Sequence, residues 1–132
     1  MTLRSSCRTL PDRLRSYRIA LRASGQYGRS IKLSKRGYLR DALDVAREGL
    51  AMLNDPVVRR LDGPEGSGVV CLTIQVESLA RQLQEPGADG KDLADSIAFM
   101  KAIAATVKGQ AAEMNAAWLP YLEARLAQLG SR

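Results

Sequence analysis

Leu39-Arg40-Asp41-Ala42-Leu43-Asp44-Val45-Ala46-Arg47-Glu48-Gly49-Leu50-Ala51-Met52-Leu53 is the stretch that decides the fold. Leu39, Ala42, Leu43, Ala46, Leu50 and Leu53 recur at three- and four-residue steps, which lays them along one side of an α-helix. Asp41, Asp44 and Glu48 form an acidic stripe on the same helix. Asn54-Asp55-Pro56 stops it, because a proline disfavours helical geometry in the residue before it.

Upstream, Leu14, Tyr17 and Leu21 fall at i, i+3 and i+7, with Leu10 one turn earlier. The spacing predicts a helix over about residues 11–24 with that row as its apolar face and Ser24-Gly25 as its stop. A shorter helical segment over 28–36 carries Ile31 and Leu33. Downstream, Val57 to Leu61 adds a turn, and Gly63-Pro64-Glu65-Gly66-Ser67-Gly68 reads as the strongest break in the chain and a flexible connection. It lacks the terminal Gly-Lys-Ser/Thr of a phosphate cradle.

A fourth helix over about 69–84 aligns Val69, Leu72, Val76, Leu79, Ala80 and Leu83. Its β-branched start makes a strand the competing reading, and length with continued helical period favours helix. A fifth begins near Asp92 and carries Leu93, Ile97, Met100, Ala104 and Val107. A sixth, over about 110–129, places Met114 and Trp118 at core-like spacing, and either Gly109 or Pro120 marks the corner.

A length of 132 residues suits one domain, which can bury about two-thirds of its unfolded surface. Apolar residues at 45% exclude general disorder, and aromatics at 5% favour helices over strands. The expected fold is all-α: five to six antiparallel helices in a bundle or in stacked hairpins. Residues 1–132 form a single helical domain, with residues 1–10 a disordered basic N-terminus. Cys7 and Cys71 show no metal or redox spacing and read as reduced thiols. No apolar run approaches the ~18 residues of a membrane span. The Arg- and Ser-rich start also fits an organelle transit peptide, but a cytoplasmic location is expected.

The net charge of +6 is unevenly spread. Residues 1–40 hold eleven Lys or Arg against a single acid, Asp12, and residues 41–132 hold nine against thirteen. Arg15, Arg18 and Arg22 share one helical face, and Arg29, Lys32, Arg36 and Arg40 share another if the second segment is helical throughout. Such lines of charge can track a phosphate backbone, with Tyr27 and Tyr38 placed to stack on bases. They can equally pair with the acidic stripe of the third helix, as Arg40 with Asp44 at i, i+4.

Ser30, Leu33, Gly37, Ala42, Gly49, Leu50 and Pro56 follow an order of small, bulky, turn glycine, alanine, small, leucine and late proline. Over residues 26–56 this resembles a tetratricopeptide repeat, a helical hairpin used in protein-binding scaffolds. The steps from Gly37 to Ala42 and from Ala42 to Gly49 match. Gln26, Arg29 and Ala46 stand where the family prefers tryptophan, leucine and an aromatic ring, and the 34-residue period lands Gly37 on Cys71. The resemblance implies a helical hairpin and binding of another protein.

There is no histidine base, no Gly-x-Ser-x-Gly elbow and no metal cluster, so neither an enzyme nor a cofactor is expected. Asp92 and Asp95 suit the positive start of a helix before they suit acid–base work. The expected function is that of a non-enzymatic, scaffold-like interaction domain that binds another protein or itself. The alternative is a small nucleic-acid-binding protein that uses the basic residues of 1–40.

Overall fold

In the computed structural model, which describes residues 10–59 and 64–130, the helices run longer than the glycines and prolines of the sequence foretell. They are α1 (Leu10–Lys35), α2 (Leu39–Met52), α3 (Pro56–Arg59), α4 (Pro64–Leu83), α5 (Gly90–Ile103) and α6 (Gln110–Gly130). No strand occurs among the described residues, and the fold is an all-helical bundle. Successive long helices lie against one another in the order α1, α2, α4, α5, α6, and α1 also lies against α4.

α2 forms as its spacing predicts, with Ala42, Leu43 and Ala46 fully buried and Leu50 nearly so. It ends ahead of Asp55, whose carboxylate accepts a hydrogen bond from the Val58 N–H at 3.4 Å at the start of α3. The β-branched start of α4 is helical too. Val69, Leu72, Val76, Leu79 and Ala80 are all buried in the one core that also takes Leu93, Ile97, Met100 and Leu122.

Three expected boundaries move. Ser24-Gly25 does not stop α1, which continues unbroken to Lys35 and absorbs the short segment expected at 28–36. A helical glycine costs only about 1 kcal/mol, and the residues beyond Gly25 offset it by packing. Gln26 and Ser30 are buried and hydrogen-bonded across to neighbouring helices. The real stop is Gly37, at φ +89°, where the Tyr38 N–H returns to the Leu33 carbonyl at 3.0 Å.

The glycine-rich connection is also shorter than expected. α4 begins at Pro64, a residue suited to a first helical turn, so only residues 60–63 of that region fall outside the described chain. α5 is capped by Asp89, whose carboxylate accepts the Asp92 N–H at 2.9 Å, and it ends at Ile103 rather than near Val107. Gly109, at φ +66°, then makes the corner. Pro120 does not interrupt α6. Its missing N–H leaves the Ala116 carbonyl without a helical donor, at a cost reduced by the exposure of both residues to solvent. The expectation of a disordered 1–10 bears mostly on residues 1–9, which lie outside the described chain; Leu10 is helical.

α1 and α2 approach closely because small residues meet at their crossing. The Ser30 hydroxyl donates to the Ala42 carbonyl at 2.8 Å and accepts from the Gln75 amide of α4 at 3.0 Å. Gly49 faces the same helix, and a Cβ there would stand 3.0 Å from the Gln26 Cβ.

α6 is held differently, since Leu122 is its only fully buried side chain among the described residues. Glu77 of α4, 2% exposed, accepts from the Arg125 Nε at 2.9 Å and from the Ala88 N–H at 2.7 Å. Gly87 has no side chain because a Cβ would overlap that carboxylate. Arg81 lies over Tyr121 at 5.2 Å and Trp118 at 6.0 Å, and the two rings meet edge to face. Removing one member of a buried ion pair strands the other. Arg125→Ala should therefore lower unfolding free energy by about 3–5 kcal/mol in urea denaturation. Glu77→Gln, which keeps the shape and one acceptor, should cost less. Equal, small losses from both would show that the pair does not hold α6.

Candidate functional site

α1 sits in the bundle with its greasiest side outward. At 100° per residue its inward side carries Ser16, Ala23, Gln26 and Ser30, all buried. The opposite side carries Leu10, Leu14, Tyr17 and Leu21, exposed at 67%, 48%, 61% and 55%. The row expected to form a core face is thus a solvent-facing stripe about 16 Å long. The Ser30–Ala42 contact explains the setting, because only the small, polar side of α1 can approach α2 and α4 so closely. Scattered exposed apolar residues are ordinary on a protein surface; four aligned on one helix form a patch.

A groove of about 490 Å³ opens beside the stripe, between α1 and α4. Tyr17, Leu21, Tyr27, Gly68, Cys71 and Leu72 line it. Tyr27 and Cys71 also line a second hollow of about 180 Å³ that reaches Ile74, Phe99 and Met114. Met114, expected in the core, is half exposed there. The two hollows therefore meet at Tyr27 and Cys71, and their linings are mostly apolar, with Ser24 in the first and Asn115 in the second.

The basic residues separate into two groups. Arg15 forms an ion pair with Asp55. Arg40, at the start of α2, pairs with Glu85 at 3.0 Å and with Asp44 at 3.9 Å. Its guanidinium is held above its ordinary pKa first by the Glu85 hydrogen bond and then by the charges of Glu85 and Asp44. Arg18, Arg22 and Lys32 on α1, and Arg36 in the turn after it, are exposed and make no ion pair among the described residues. Arg29 donates to the Gln26 side chain at 2.9 Å, which in turn donates to Glu48 at 2.9 Å. Because α1 is one helix, Arg18, Arg22 and Arg29 lie within about 40° of one another, whereas Arg36 falls in the turn past its end. Arg18, Arg22 and Arg29 form one line across the two expected stripes, of which Arg18 and Arg22 flank the apolar patch; Lys32 is rotated about 40–80° from that line, and Arg36 and Arg40 lie beyond α1.

The two tyrosines are not a pair. Tyr38 is 58% exposed at the start of α2, whereas Tyr27 is half-buried against the core. The expectations for this region missed the shared floor at Cys71 and the outward turn of Leu10, Leu14, Tyr17 and Leu21. The small residues Ser30, Ala42 and Gly49 carried the signal that could have found the latter, since close crossing there dictates which side of α1 faces in. Among the described residues, no three His, Cys, Asp or Glu side chains cluster as metal ligands would. No helix described is long and apolar enough to cross a membrane.

Burial pushes the Cys71 thiol above its ordinary pKa; burial and then Cys71 do the same for Tyr27. Both shifts favour the neutral form in the folded state. That contribution is intact below the ordinary thiol range and is lost as pH rises through the raised values. Maleimide labelling of Cys71 near pH 8 should therefore be several-fold slower in the folded chain than in urea, read by peptide mass, and should climb only at higher pH. Labelling as fast in the folded chain as in urea would contradict a buried thiol. Comparison with known proteins returns no matching family model, no matching curated protein and no matching solved structure, so function is argued from this geometry alone.

Proposed function

We propose that this chain is a non-enzymatic helical interaction domain that covers the outward side of α1 with another protein, in the manner of a scaffold or adaptor. The observation that carries the reading is the alignment of Leu10, Leu14, Tyr17 and Leu21 in solvent beside an open apolar groove. Leaving such side chains in water forfeits about 1.5–3 kcal/mol apiece relative to full burial, which a partner can recover. The tetratricopeptide-like order of small residues through Ser30, Ala42 and Gly49 supports the same reading. The free thiol of Cys71 suits the reducing cytoplasm.

Nucleic-acid binding is the second reading, favoured by the exposed, unpaired cations Arg18, Arg22, Lys32 and Arg36. It leaves the apolar stripe without a role, because a phosphate backbone offers leucines nothing to bury.

A photo-crosslinking residue at Tyr17, with a control at exposed Ala94, distinguishes them in the source cells. The expected result is a discrete protein adduct from position 17 that survives nuclease and is missing from position 94. Nuclease-sensitive adducts alone, or none from position 17, would overturn the proposal.

A further inference from the structure

We infer that the occupant of this face is an amphipathic helix whose apolar side is flanked by Asp and Glu. The inference rests on the proposal that α1 binds protein and adds the chemistry of the partner. Backbone geometry selects a helix over an extended segment. The walls of the groove are helices whose N–H and C=O groups are already bonded internally, so no sheet edge is offered to an added strand. An occupant must arrive with its own backbone satisfied and insert side chains only. A helix does this, and the stripe from Leu10 to Leu21 matches about three of its turns.

Charge selects the flank. Arg18 and Arg22 line one border of the apolar patch, and exposed Arg13 lies toward the other. The nearby acids are already engaged: Asp55 by Arg15, and Glu48 by Gln26. Asp12 lies toward the inward side of α1 and also has a partner. A partner carrying Glu or Asp beside its apolar row would meet this border with opposite charge. A second copy of the chain, paired stripe to stripe, would instead bring the same arginine rows together.

The test uses three fluorescent helical peptides titrated with the full chain by anisotropy. One has a leucine face flanked by glutamates, one the same face flanked by lysines, and one the glutamates with serines replacing the leucines. The glutamate-flanked leucine peptide should bind at least tenfold tighter than the lysine form, weaken with salt, and slow maleimide labelling of Cys71. The serine peptide should not bind. Arg18→Glu with Arg22→Glu should reverse the preference, and Leu14→Gln with Leu21→Gln should abolish binding to both leucine peptides; circular dichroism confirms that each variant is folded. Equal affinity for the two leucine peptides, or a preference untouched by charge reversal, would overturn the inference. So would a concentration-dependent dimer in sedimentation that excludes the peptide, or tighter binding to anionic vesicles or duplex DNA than to the peptide. If charge preference fails while Tyr17 still gives protein adducts, only the acidic helix is refuted. If those adducts are also missing, the reading beneath it falls.

Discussion

The hydrogen bond from the Ser30 hydroxyl to the Ala42 carbonyl, 2.8 Å long and fully buried, sets the rotation of α1. A hydroxyl on one helix can reach a backbone carbonyl of another only where both backbones come close, and that requires small side chains at the crossing. Ala42 and Gly49 supply them on α2, and Ser30 on α1. The bond alone is worth only about 0.5–1.5 kcal/mol. Its consequence is larger, because fixing that side of a continuous helix inward fixes Leu10, Leu14, Tyr17 and Leu21 outward. The exposed patch follows from the packing of the hairpin.

The same setting organises the charge. A single helix through Gly25 and Gly28 gathers Arg18, Arg22 and Arg29 into one row, which two separate helices would have split. Arg15 and Arg40 lie near acids and are bridged. At the far side of the bundle, the buried Glu77 joins α4, the loop at Ala88 and α6 through one carboxylate. Arg18 and Arg22, beside the apolar patch, therefore stand apart from the charges used to hold the bundle together.

α2 was legible in the sequence because its apolar residues face a core on the side that period predicts, and Gly37 was legible as a turn. α4 was legible once length outweighed its β-branched start. α1 was misread for a physical reason: period locates the apolar side of a helix, but interhelical distance decides which side is buried. Ser24-Gly25 looked like a stop because local propensity does not register Gln26 and Ser30 bonding to other helices. The floor at Tyr27 and Cys71 was invisible for a related reason, since it exists only where α1 and α4 meet. The alignment of Arg18, Arg22 and Arg29 was not legible, because it depends on the unbroken helix, and Arg15 and Arg40 are drawn to acids from other parts of the chain.

The outward rotation of α1 is tested most directly by urea denaturation of the chain with Leu14, Tyr17 and Leu21 all replaced by glutamine. Exposed side chains contribute little to folding, so unfolding free energy should stay within about 1 kcal/mol of the parent. A loss of about 6 kcal/mol or more, the scale of three large core truncations, would mean that these residues are buried and α1 faces the other way.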